Sequence, residues 1–348
     1  MKIIDLRSDT VTLPTDEMRE AIFRAELGDD VYREDPTVQR LEELAAGMLG
    51  KEAALLVASG TMGNLVSVLT HCGRGDEAIL GDQSHIFLNE VGGLSALGGV
   101  VPHLVPNQPD GTMRIADVEA AVRAENIHYP RTKLLCLENT HNLCDGAALK
   151  PSYLGEIEAL ARRHGLSLHL DGARVFNAAV ALRVDVKRLT RHADSVTVCL
   201  SKGLSAPVGS IVCGSREFIA RARKIRKMLG GGMRQAGIIA AAGIVALTRM
   251  TDRLAEDHRN ARRLAEGLAG VPGLSIDANR VTTNILYVDL DQAVMADEEL
   301  LGRLKQDGVQ ILPRGAGRFR MVTHSGIDRT DIEAALNAFR KILASPKR

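Results

Sequence analysis

The segment LSLHLDGAR, residues 166–174, carries the pattern that decides the fold of this chain. Its apolar first part, 166–170, predicts a buried β-strand, and a polar cluster, 171–174, follows that strand directly. A helical pattern at about 153–164 precedes the strand. A helix that leads into a buried strand indicates one unit of an α/β protein, in which helices cover a mostly parallel sheet.

Four further strands of the same kind are predicted, each ending in a polar cluster, at 53–58, 77–80, 133–137 and 195–200. A last strand, 208–213, is expected to pair with the strand before it. In open α/β sheets, ligands bind outside the carboxyl ends of the strands. Those ends supply seven polar side chains, which are Thr61, His85, Glu138, His141, Asp171, Arg174 and Lys202. The sequence therefore predicts a functional site at one edge of the sheet, although each cluster alone could be a solvated loop.

The chain changes character after about residue 248. The predicted elements there are a charged helix at 252–268, strands at 283–290, 309–312 and 318–322, and a closing helix at 328–344. These elements are typical of a smaller α+β unit. We therefore predict two domains, a large α/β domain over 1–248 that includes an N-terminal arm, and a small C-terminal α+β domain over 249–348.

The composition excludes several classes of protein. The 348 residues carry 44 basic and 43 acidic side chains, and a net charge of +1 gives no electrostatic footprint for nucleic acid or an anionic membrane. The five cysteines form no CxxC pair, so we expect neither a structural zinc site nor another metal. Asp5, Arg7 and Asp9 stand where a signal peptide needs an apolar core, and the longest apolar stretch, 236–247, is too short to span a bilayer. We therefore expect a cytoplasmic protein.

Three of the strand-end residues suit one kind of covalent chemistry. A lysine near the sheet and flanked by small residues, such as Lys202, can be desolvated and can form a Schiff base with an aldehyde cofactor. A carboxylate such as Asp171 can keep a pyridine nitrogen protonated and thereby turn the ring into an electron sink. Arg174 can donate to a ring oxygen or to a substrate carboxylate. Taken singly, Lys202 could be a solvated loop lysine, and Asp171 and Arg174 could be a turn pair.

Glycine-rich segments and one histidine offer further binding groups. The run 59–64, Ser-Gly-Thr-Met-Gly-Asn, combines backbone N–H groups, a hydroxyl and a helix N-terminus that can hold a phosphate, although it lacks the Walker lysine. His85 could stack on a flat ring or transfer protons near neutral pH, or it could be an ordinary loop residue. The run 230–235 places Arg234 where it could meet an anion, unless the run is simply a hinge.

The order of these features along the chain is that of fold-type I pyridoxal-phosphate enzymes: a phosphate turn, a histidine, an Asp three residues before an Arg, and a strand-end lysine. The sequence closely resembles the L-threonine aldolases over essentially the whole chain. The segments that carry the resemblance are DLRSDTVT from Asp5, GDDVY from Gly28, ENTHN from Glu138, HLDGARVFNA from His169, LSKGL around Lys202, GGGMRQ from Gly230 and RMVTH from Arg320.

The resemblance implies a large domain with a mostly parallel seven-stranded sheet, a small C-terminal domain and pyridoxal 5′-phosphate as cofactor. The implied cofactor contacts are the Schiff base of Lys202, the ring nitrogen for Asp171, the ring oxygen for Arg174, the phosphate for Gly60 and Thr61, and ring stacking for His85. The implied substrate contacts are Ser8, Arg174 and Arg320 at the carboxylate, and His85 and His128 near the hydroxyl. Three residues are implied to reach an active site across a subunit interface, Lys227 and Arg234 toward the cofactor and Tyr32 toward the substrate. The protein would then be a homo-oligomer, either a dimer or a tetramer.

Two segments depart from the family pattern. Residues 143–146 read Leu-Cys-Asp-Gly where the family often has a glycine pair, and Ser205 stands where a glycine is usual. The implied reaction is retro-aldol cleavage of a β-hydroxy-α-amino acid, such as threonine or allo-threonine, to glycine and an aldehyde such as acetaldehyde. The alternatives are a β-eliminating lyase or a transaminase of the same fold, and a non-catalytic cofactor-binding protein. The sequence leaves open whether the base is a histidine or a bound water, and which threonine epimer is preferred.

Overall fold

The structure is a computed structural model that describes residues 2–344. Its strands over these residues are β1 (Ile4–Asp5), β2 (Ala53–Val57), β3 (Glu77–Gly81), β4 (Val101–Val105), β5 (Thr132–Glu138), β6 (Ser167–Asp171), β7 (Ser195–Cys199), β8 (Ser210–Gly214), β9 (Leu274–Ser275), β10 (Ile285–Leu290), β11 (Val309–Gln310), β12 (Leu312–Pro313) and β13 (Arg318–Val322). Its helices are α1 (Asp16–Phe23), α2 (Pro36–Leu49), α3 (Gly60–His71), α4 (His85–Leu88), α5 (Gly93–Ala96), α6 (Ile115–Ala121), α7 (Pro151–Arg163), α8 (Val175–Leu182), α9 (Lys187–Thr190), α10 (Arg216–Met228), α11 (Gly237–Val245), α12 (Leu254–Leu268), α13 (Asp297–Gln306) and α14 (Arg329–Ala344). Short 3₁₀ turns lie at Asp9–Val11, Asp30–Tyr32 and Ala278–Arg280, and a π-helical turn at Ala246–Met250 joins the end of α11.

The central sheet has seven strands within residues 53–214, in the order β2-β8-β7-β6-β5-β3-β4. β8 runs antiparallel to its two neighbours, β2 and β7, and the other neighbouring pairs are parallel. β3, β7 and β8 are buried along their whole length, because helices cover both faces of such a sheet. The expectation of a mostly parallel seven-stranded sheet is confirmed, as is the pairing of β8 with β7.

Two segments differ from the sequence-based expectation. β4 was not predicted, because Pro102 and His103 interrupt its apolar pattern; the strand lies at the sheet edge, where proline is tolerated, and is only partly buried. The single strand expected at 309–312 is in fact two short strands. β11 pairs in parallel with β1, whereas β12 pairs antiparallel with β13, and buried Ile311 separates them.

The largest hydrophobic cluster and a second one occupy different parts of the chain. The largest includes residues from Met18 to Leu254 and packs against the seven-stranded sheet. The second includes residues from Ala261 to Leu343, and it also contains Ile4 and Leu6 from the start of the chain. The N-terminal arm therefore packs with the C-terminal part, through β1. The division of the chain into domains at residue 248 stays a prediction.

The remaining global expectations concern thiols and membranes. All five cysteines are buried free thiols, including Cys144, whose environment the sequence did not predict. Among residues 2–344, no helix has both the length and the apolar character needed to cross a membrane.

Candidate active site

The central sheet brings the predicted residues of two neighbouring strands together at the edge formed by the carboxyl ends of its parallel strands. Glu138 ends β5, Asp171 ends β6, and the two residues are paired in register. Asp171 is also paired with Thr197 of β7, and Lys202 lies in the turn just after the last residue of that strand, Cys199. Because parallel strands share one direction, their carboxyl ends meet at this edge, where the sequence placed the site.

Asp171 is a buried carboxylate held in a fixed orientation. Nδ2 of Asn64 donates to its Oδ2 at 2.8 Å, and the backbone N–H of Ala173 donates to its Oδ1 at 3.1 Å. The carboxylate is 2% exposed. Hydrogen bonds to a charged acceptor are stronger than bonds between neutral groups, so the two donors fix the plane of this carboxylate at the sheet edge.

His85 begins α4 and is held at both its backbone and its ring. Its backbone N–H donates to Oε2 of Glu138 at 2.7 Å, and its Nδ1 lies 2.9 Å from Oε1 of Glu90. Burial disfavours the charged imidazole, but the hydrogen bond to Glu90 and the nearby charge of Asp171 outweigh it, so the pKa of His85 is raised. The positive charge of Lys202 opposes this rise.

A buried ion pair that the sequence did not reveal holds Arg174. Its Nε and one terminal nitrogen donate to the two oxygens of Asp9 at 2.7 and 2.6 Å. Nδ2 of Asn284 donates to the same carboxylate at 3.2 Å. Burial alone would raise the pKa of Asp9, but Arg174 and the charge of Lys202 hold that pKa well below its usual range. Asp9 therefore fixes the guanidinium of Arg174 beside Lys202.

Arg320 lies in the same cluster and retains an unused donor. It donates to Oδ1 of Asn142 at 2.7 Å and to the backbone carbonyl of Arg7 at 3.1 Å, while its buried Nε has no partner among residues 2–344. Burial, and after it the nearby charge of Arg174, lowers the pKa of Arg320 to about 10. Ser8 follows Arg7 directly, and its Oγ accepts from the backbone N–H of Thr10 at 3.3 Å.

The charges around Arg320 favour an anion. Two buried guanidinium groups, Arg174 and Arg320, are close enough for the charge of one to affect the other, and the one buried carboxylate beside them, Asp9, pairs with Arg174. Buried charges are costly unless they are paired, so the excess positive charge and the free Nε suit a carboxylate ligand. Arg318, the other arginine of β13, is 44% exposed, and its guanidinium lies over the ring of Tyr287 instead.

The glycine run predicted as a phosphate turn forms the first turn of α3. Oγ of Ser59 accepts from the N–H of Met62, which leaves the N–H groups of Gly60 and Thr61 at the open end of the helix. A Cβ at Gly60 would lie 2.7 Å from Sγ of Cys199. The missing side chain lets the helix N-terminus approach the end of β7, which is the arrangement that binds a phosphate group.

Ser205, which stands where a glycine is usual in the family, lies in the loop after Lys202. Ser205 is fully buried with a φ of 63°, a left-handed conformation that a glycine adopts without strain. Its hydroxyl lies 2.8 Å from the hydroxyl of Ser325, in the C-terminal part of the chain. The side chain of Thr12 also holds this loop, since its Oγ1 donates to the backbone carbonyl of Lys202 at 3.0 Å.

Four predicted site residues lie away from this cluster within one chain. Tyr32 is 70% exposed, and the exposed Arg234 donates to Oδ2 of Asp29 at 2.9 Å in the same part of the surface. Lys227 is also exposed, near the end of α10. His128 is exposed in the loop that leads into β5, so it lies at the opposite edge of the sheet from Glu138. The seven residues of β5 separate those edges by roughly 20 Å at about 3.3 Å per residue.

His141, the remaining strand-end candidate, is buried inside the protein. Its backbone pairs with Ala147, and it is 1% exposed. Neither ring nitrogen has a hydrogen-bond partner among the described residues. Among residues 2–344, no hydrogen bond therefore links its side chain to the cluster around Asp171.

One group of side chains has the composition of a metal site. Ligand atoms of His85, Glu90 and Asp171 lie within 4.8 Å of one another. The N–H donors of Asn64 already occupy the space between the two carboxylates, bonding to Glu90 at 2.8 Å and to Asp171 at 2.8 Å. An amide NH₂ group at this position repels a cation, so these contacts favour a hydrogen-bonded network over a metal centre.

Three residues that organise the site were not identified from the sequence, namely Asp9, Asn64 and Glu90. The contact between Asp9 and Arg174 joins residues 165 positions apart, and the contact between Asn64 and Asp171 joins residues 107 apart. Asp9 stands inside the segment from Asp5 that carries the family resemblance, and Asn64 ends the phosphate run. Those positions were the available signals, whereas no sequence pattern marks Glu90.

The chain is similar to known proteins along nearly its whole length. A family profile described as beta-eliminating lyase matches residues 5–293. The low-specificity L-threonine aldolase 1 of Arabidopsis thaliana is 49% identical over 347 residues, which cover 99% of this chain and 97% of that protein. The low specificity L-threonine aldolase of Escherichia coli (strain K12) is 44% identical over 344 residues, which cover 98% of this chain and 100% of that protein.

A solved structure supports the same fold. The threonine aldolase of Leishmania major superposes with a TM-score of 0.83 and 20% sequence identity, covering 98% of this chain and 99% of that one. At this identity, the likeness establishes the fold: a large α/β unit with a seven-stranded sheet and a smaller C-terminal part.

Proposed function

The chain belongs to the beta-eliminating lyase family and, within it, to the low-specificity L-threonine aldolases, and from this premise we propose that it is a pyridoxal-phosphate-dependent aldolase. It would cleave threonine, allo-threonine and related β-hydroxy-α-amino acids to glycine and an aldehyde. The observation that carries the proposal is the meeting of Lys202, Asp171 and His85 at one sheet edge, in a chain similar to those aldolases throughout. A cytoplasmic location remains our prediction.

The residues present suit pyridoxal phosphate. The open N-terminus of α3 at Gly60 and Thr61 offers N–H groups to a phosphate, and buried Asp171 offers an acceptor to a ring nitrogen. The ring of His85 is partly exposed at this edge and can cover one face of the cofactor. Lys202 supplies the amine that binds the aldehyde carbon. When bound, the cofactor supplies an electron sink for the electrons released as the Cα–Cβ bond breaks.

Arg174, Arg320 and Ser8 orient the substrate. The two guanidinium groups and the Ser8 hydroxyl would hold the substrate carboxylate, while Asp9 keeps Arg174 in place. With the carboxylate held, rotation about the bond between the substrate nitrogen and Cα would be restricted, so these residues would select which bond of Cα is aligned for cleavage. Placing the Cα–Cβ bond perpendicular to the cofactor ring lowers the barrier to its cleavage.

His85 is one candidate for moving the hydroxyl proton of the substrate. Its Nδ1 bonds to Glu90, and its Nε2 has no partner among the described residues. The raised pKa of His85 allows the ring to take up a proton near neutral pH. The arrangement is equally compatible with a water held by His85, so the identity of the base stays open.

We further propose that the exposed candidates act at the site of a second copy of this chain. The segments that carry Tyr32, Lys227 and Arg234 lie near one another, and all three side chains are exposed. His128 lies at the opposite end of the sheet strands from Lys202 of the same chain. Large apolar side chains are exposed in the same segments, with Phe23 85%, Met228 68% and Ile127 96% accessible. Apolar exposure of this kind marks surfaces that bury against a partner. The homo-oligomer would be at least a dimer.

The test is a product analysis of the purified protein with pyridoxal phosphate. L-threonine, L-allo-threonine and phenylserine are supplied separately, and glycine and the aldehyde are measured. We expect glycine and aldehyde in equal amounts, and we expect Lys202→Ala to lose almost all turnover while remaining folded. Ammonia with a keto acid would instead indicate a β-eliminating lyase, keto acid formed only with an amino acceptor would indicate a transaminase, and the absence of all products would indicate a binding protein.

A further inference from the structure

A continuous chain of polar side chains lies behind Asp171. Asn64 donates to Asp171 at 2.8 Å, and its Oδ1 lies 3.2 Å from Nε2 of His169. Nδ1 of His169 lies 2.8 Å from Oγ of Ser195, which in turn lies 2.8 Å from Nε2 of His71. Asn64, His169 and Ser195 are almost wholly buried, so these bonds are shielded from water. The proposed function uses only the end of this chain, Asp171.

The first link has one favourable orientation. Nδ2 of Asn64 lies 2.8 Å from a carboxylate oxygen of Asp171 and 2.8 Å from one of Glu90. The amide nitrogen has two N–H donors for these two acceptors, whereas an amide oxygen in its place would face two carboxylates and be repelled. The orientation therefore follows from the neighbours. The oxygen of Asn64 consequently faces His169 and requires a donor there.

The remaining links follow from that orientation. Nε2 of His169 must carry the proton that bonds to Asn64, and burial lowers the pKa of His169 to about 4, so the ring is neutral at pH 7. Nδ1 is then an acceptor and takes the hydroxyl proton of Ser195. The Ser195 oxygen, having used its proton, accepts from Nε2–H of His71. Every donor in the chain thus points toward Asp171.

We propose that Asn64, His169 and Ser195 form a one-directional hydrogen-bond chain that holds the Asp171 carboxylate in the orientation that the cofactor ring requires. This inference rests on the proposed function, because it assumes that Asp171 meets the ring nitrogen. Asn64 and His169 are positioning residues, since they act on the ring only through Asp171. Because each link donates toward Asp171, the chain cannot draw away the proton that the ring nitrogen shares with that carboxylate.

The tautomers can be tested in the apo-protein, without any catalysis. Long-range ¹H–¹⁵N correlation spectra of protein labelled in its histidine rings distinguish Nε2–H from Nδ1–H imidazoles. The signals are assigned by their loss in His169→Gln and His71→Gln. At pH 7 we expect both rings as Nε2–H tautomers. A proton on Nδ1 of His169 would reverse the chain and overturn the proposal.

Paired substitutions at His169 test the effect on Asp171. His169→Gln keeps an N–H donor for Asn64, whereas His169→Leu leaves the Asn64 oxygen buried without a donor. Loss of one such hydrogen bond corresponds to about tenfold in an equilibrium constant, so the Leu variant should bind pyridoxal phosphate about tenfold more weakly. It should also shift the absorbance spectrum of the bound cofactor. The Gln variant should stay within about threefold of the wild type.

A matched control is available in His192, which is buried, bonds to Glu158 and takes no part in this chain. His192→Leu should bind the cofactor with wild-type affinity and spectrum. Equal affinity and spectra for His169→Leu and the wild type would overturn the positioning role. If His169→Leu does not fold, Ser195→Ala takes its place, with a measurable weakening expected and wild-type binding counting against the role.

A failure of the proposed function can be distinguished from a failure of the further inference. A wild-type chain that binds no pyridoxal phosphate contradicts the proposed function, and it contradicts the positioning role with it. The direction of the hydrogen bonds is then still decided by the tautomers of His169 and His71 in the apo-protein. A chain that binds the cofactor and carries a proton on Nδ1 of His169 contradicts the further inference alone.

Discussion

At Asp171, a change from a carboxylate to an amide alters the charge and hardly alters the shape. Asp171→Asn should therefore leave the fold and the binding of cofactor by Lys202 in place. The amide cannot keep the ring nitrogen protonated, so the carbanion is no longer stabilised. A loss of ~4 kcal/mol of transition-state stabilisation is about a thousandfold in rate, and we expect a fall of that order or more.

The measurement for Asp171→Asn is turnover on threonine, together with cofactor absorbance to show that the site is occupied. An activity loss below about tenfold, with the site occupied, would mean that Asp171 is not the partner of the ring nitrogen. Circular dichroism of the same sample controls for folding.

At Arg320, the shape of the charged group matters as well as the charge. A guanidinium can hold a carboxylate through two parallel hydrogen bonds, whereas a lysine offers a single compact charge. Arg320→Lys should raise the KM for threonine and also lower kcat, because a loosely held carboxylate lets the Cα–Cβ bond turn away from the perpendicular. Steady-state kinetics on threonine measure both constants.

Arg318 provides the matched comparison for that substitution. It lies on the same strand, but its guanidinium is partly exposed over Tyr287 and near Asp145. An exposed pair of this kind contributes roughly 0–1 kcal/mol, so Arg318→Lys should change the kinetics little. Unchanged constants in Arg320→Lys, with a large defect in Arg318→Lys, would move the carboxylate site to Arg318.

At the scale of elements, the position of α3 depends on Gly63 as well as on Gly60. A Cβ at Gly63 would lie 2.6 Å from Cγ2 of Thr197 and 3.3 Å from Cγ2 of Val212, so Gly63→Ala must move α3 away from the sheet. Overpacking of this kind costs about 1–3 kcal/mol. The same shift would displace Asn64 and the phosphate turn. We therefore expect both a lower free energy of unfolding and weaker cofactor binding, measured by urea unfolding and by absorbance titration.

Gly47 on α2 is the control for this substitution. It is exposed in the last turn of α2, and a Cβ there meets nothing within 4 Å. Gly47→Ala should therefore raise the free energy of unfolding by about 0.5–1 kcal/mol, because alanine loses less backbone entropy. If the two variants change stability by the same amount and in the same direction, the packing of α3 on the sheet is not the cause.

Elements with a continuous apolar pattern could be predicted from sequence, and elements at edges could not. The strands β2, β3, β5, β6 and β7 are buried, and their predicted and observed bounds differ by one or two residues. β4 was missed because a half-exposed edge strand containing proline has no such pattern. The prediction of a single strand at 309–312 was wrong in detail, because β11 pairs with β1, which lies more than 300 residues away in the chain.

The candidate site shows the same limit for a different reason. Its residues with unusual local context, Lys202, Asp171 and Arg174, follow buried strands and can be found in the sequence. Residues that act by holding another side chain, such as Asp9 and Asn64, have ordinary local contexts and become visible only when the fold brings distant segments together.

For the molecule as a whole, buried histidines make stability depend on pH. Burial lowers the pKa of His71 to about 3, of His169 to about 4 and of His258 to about 4. In the unfolded chain these rings return to their ordinary value near 6.5. At these three rings the unfolded chain therefore binds more protons than the folded one between pH 4 and 6.5, and their contribution to stability falls as the pH is lowered through this window. Asp257, whose pKa is raised by burial to about 6, acts in the opposite sense.

His258 allows the effect to be measured away from the hydrogen-bond chain behind Asp171. Its ring lies 3.1 Å from the amide nitrogen of Asn177. We compare the free energy of urea unfolding at pH 7 and pH 5 for the wild type and His258→Gln. The loss of stability between these values should be smaller in the variant by about 1–2 kcal/mol. An equal loss in both proteins would show that His258 titrates normally in the folded state.

The proposed sharing of sites between subunits predicts that two inactive variants restore each other. Lys202→Ala retains Arg234 but lacks the amine, whereas Arg234→Ala retains the amine but lacks the guanidinium. If Arg234 serves the neighbouring site, each mixed dimer contains one site with both groups, and random reassociation should recover about a quarter of wild-type activity. The two proteins are unfolded together, refolded and assayed, with tags of different mass to show that mixed dimers form. The singly refolded variants set the background. Mixed dimers that form without recovering activity would place Arg234 in its own subunit's site or outside any site. Exchange of chains would then bring no intact Arg234 to the site that contains Lys202.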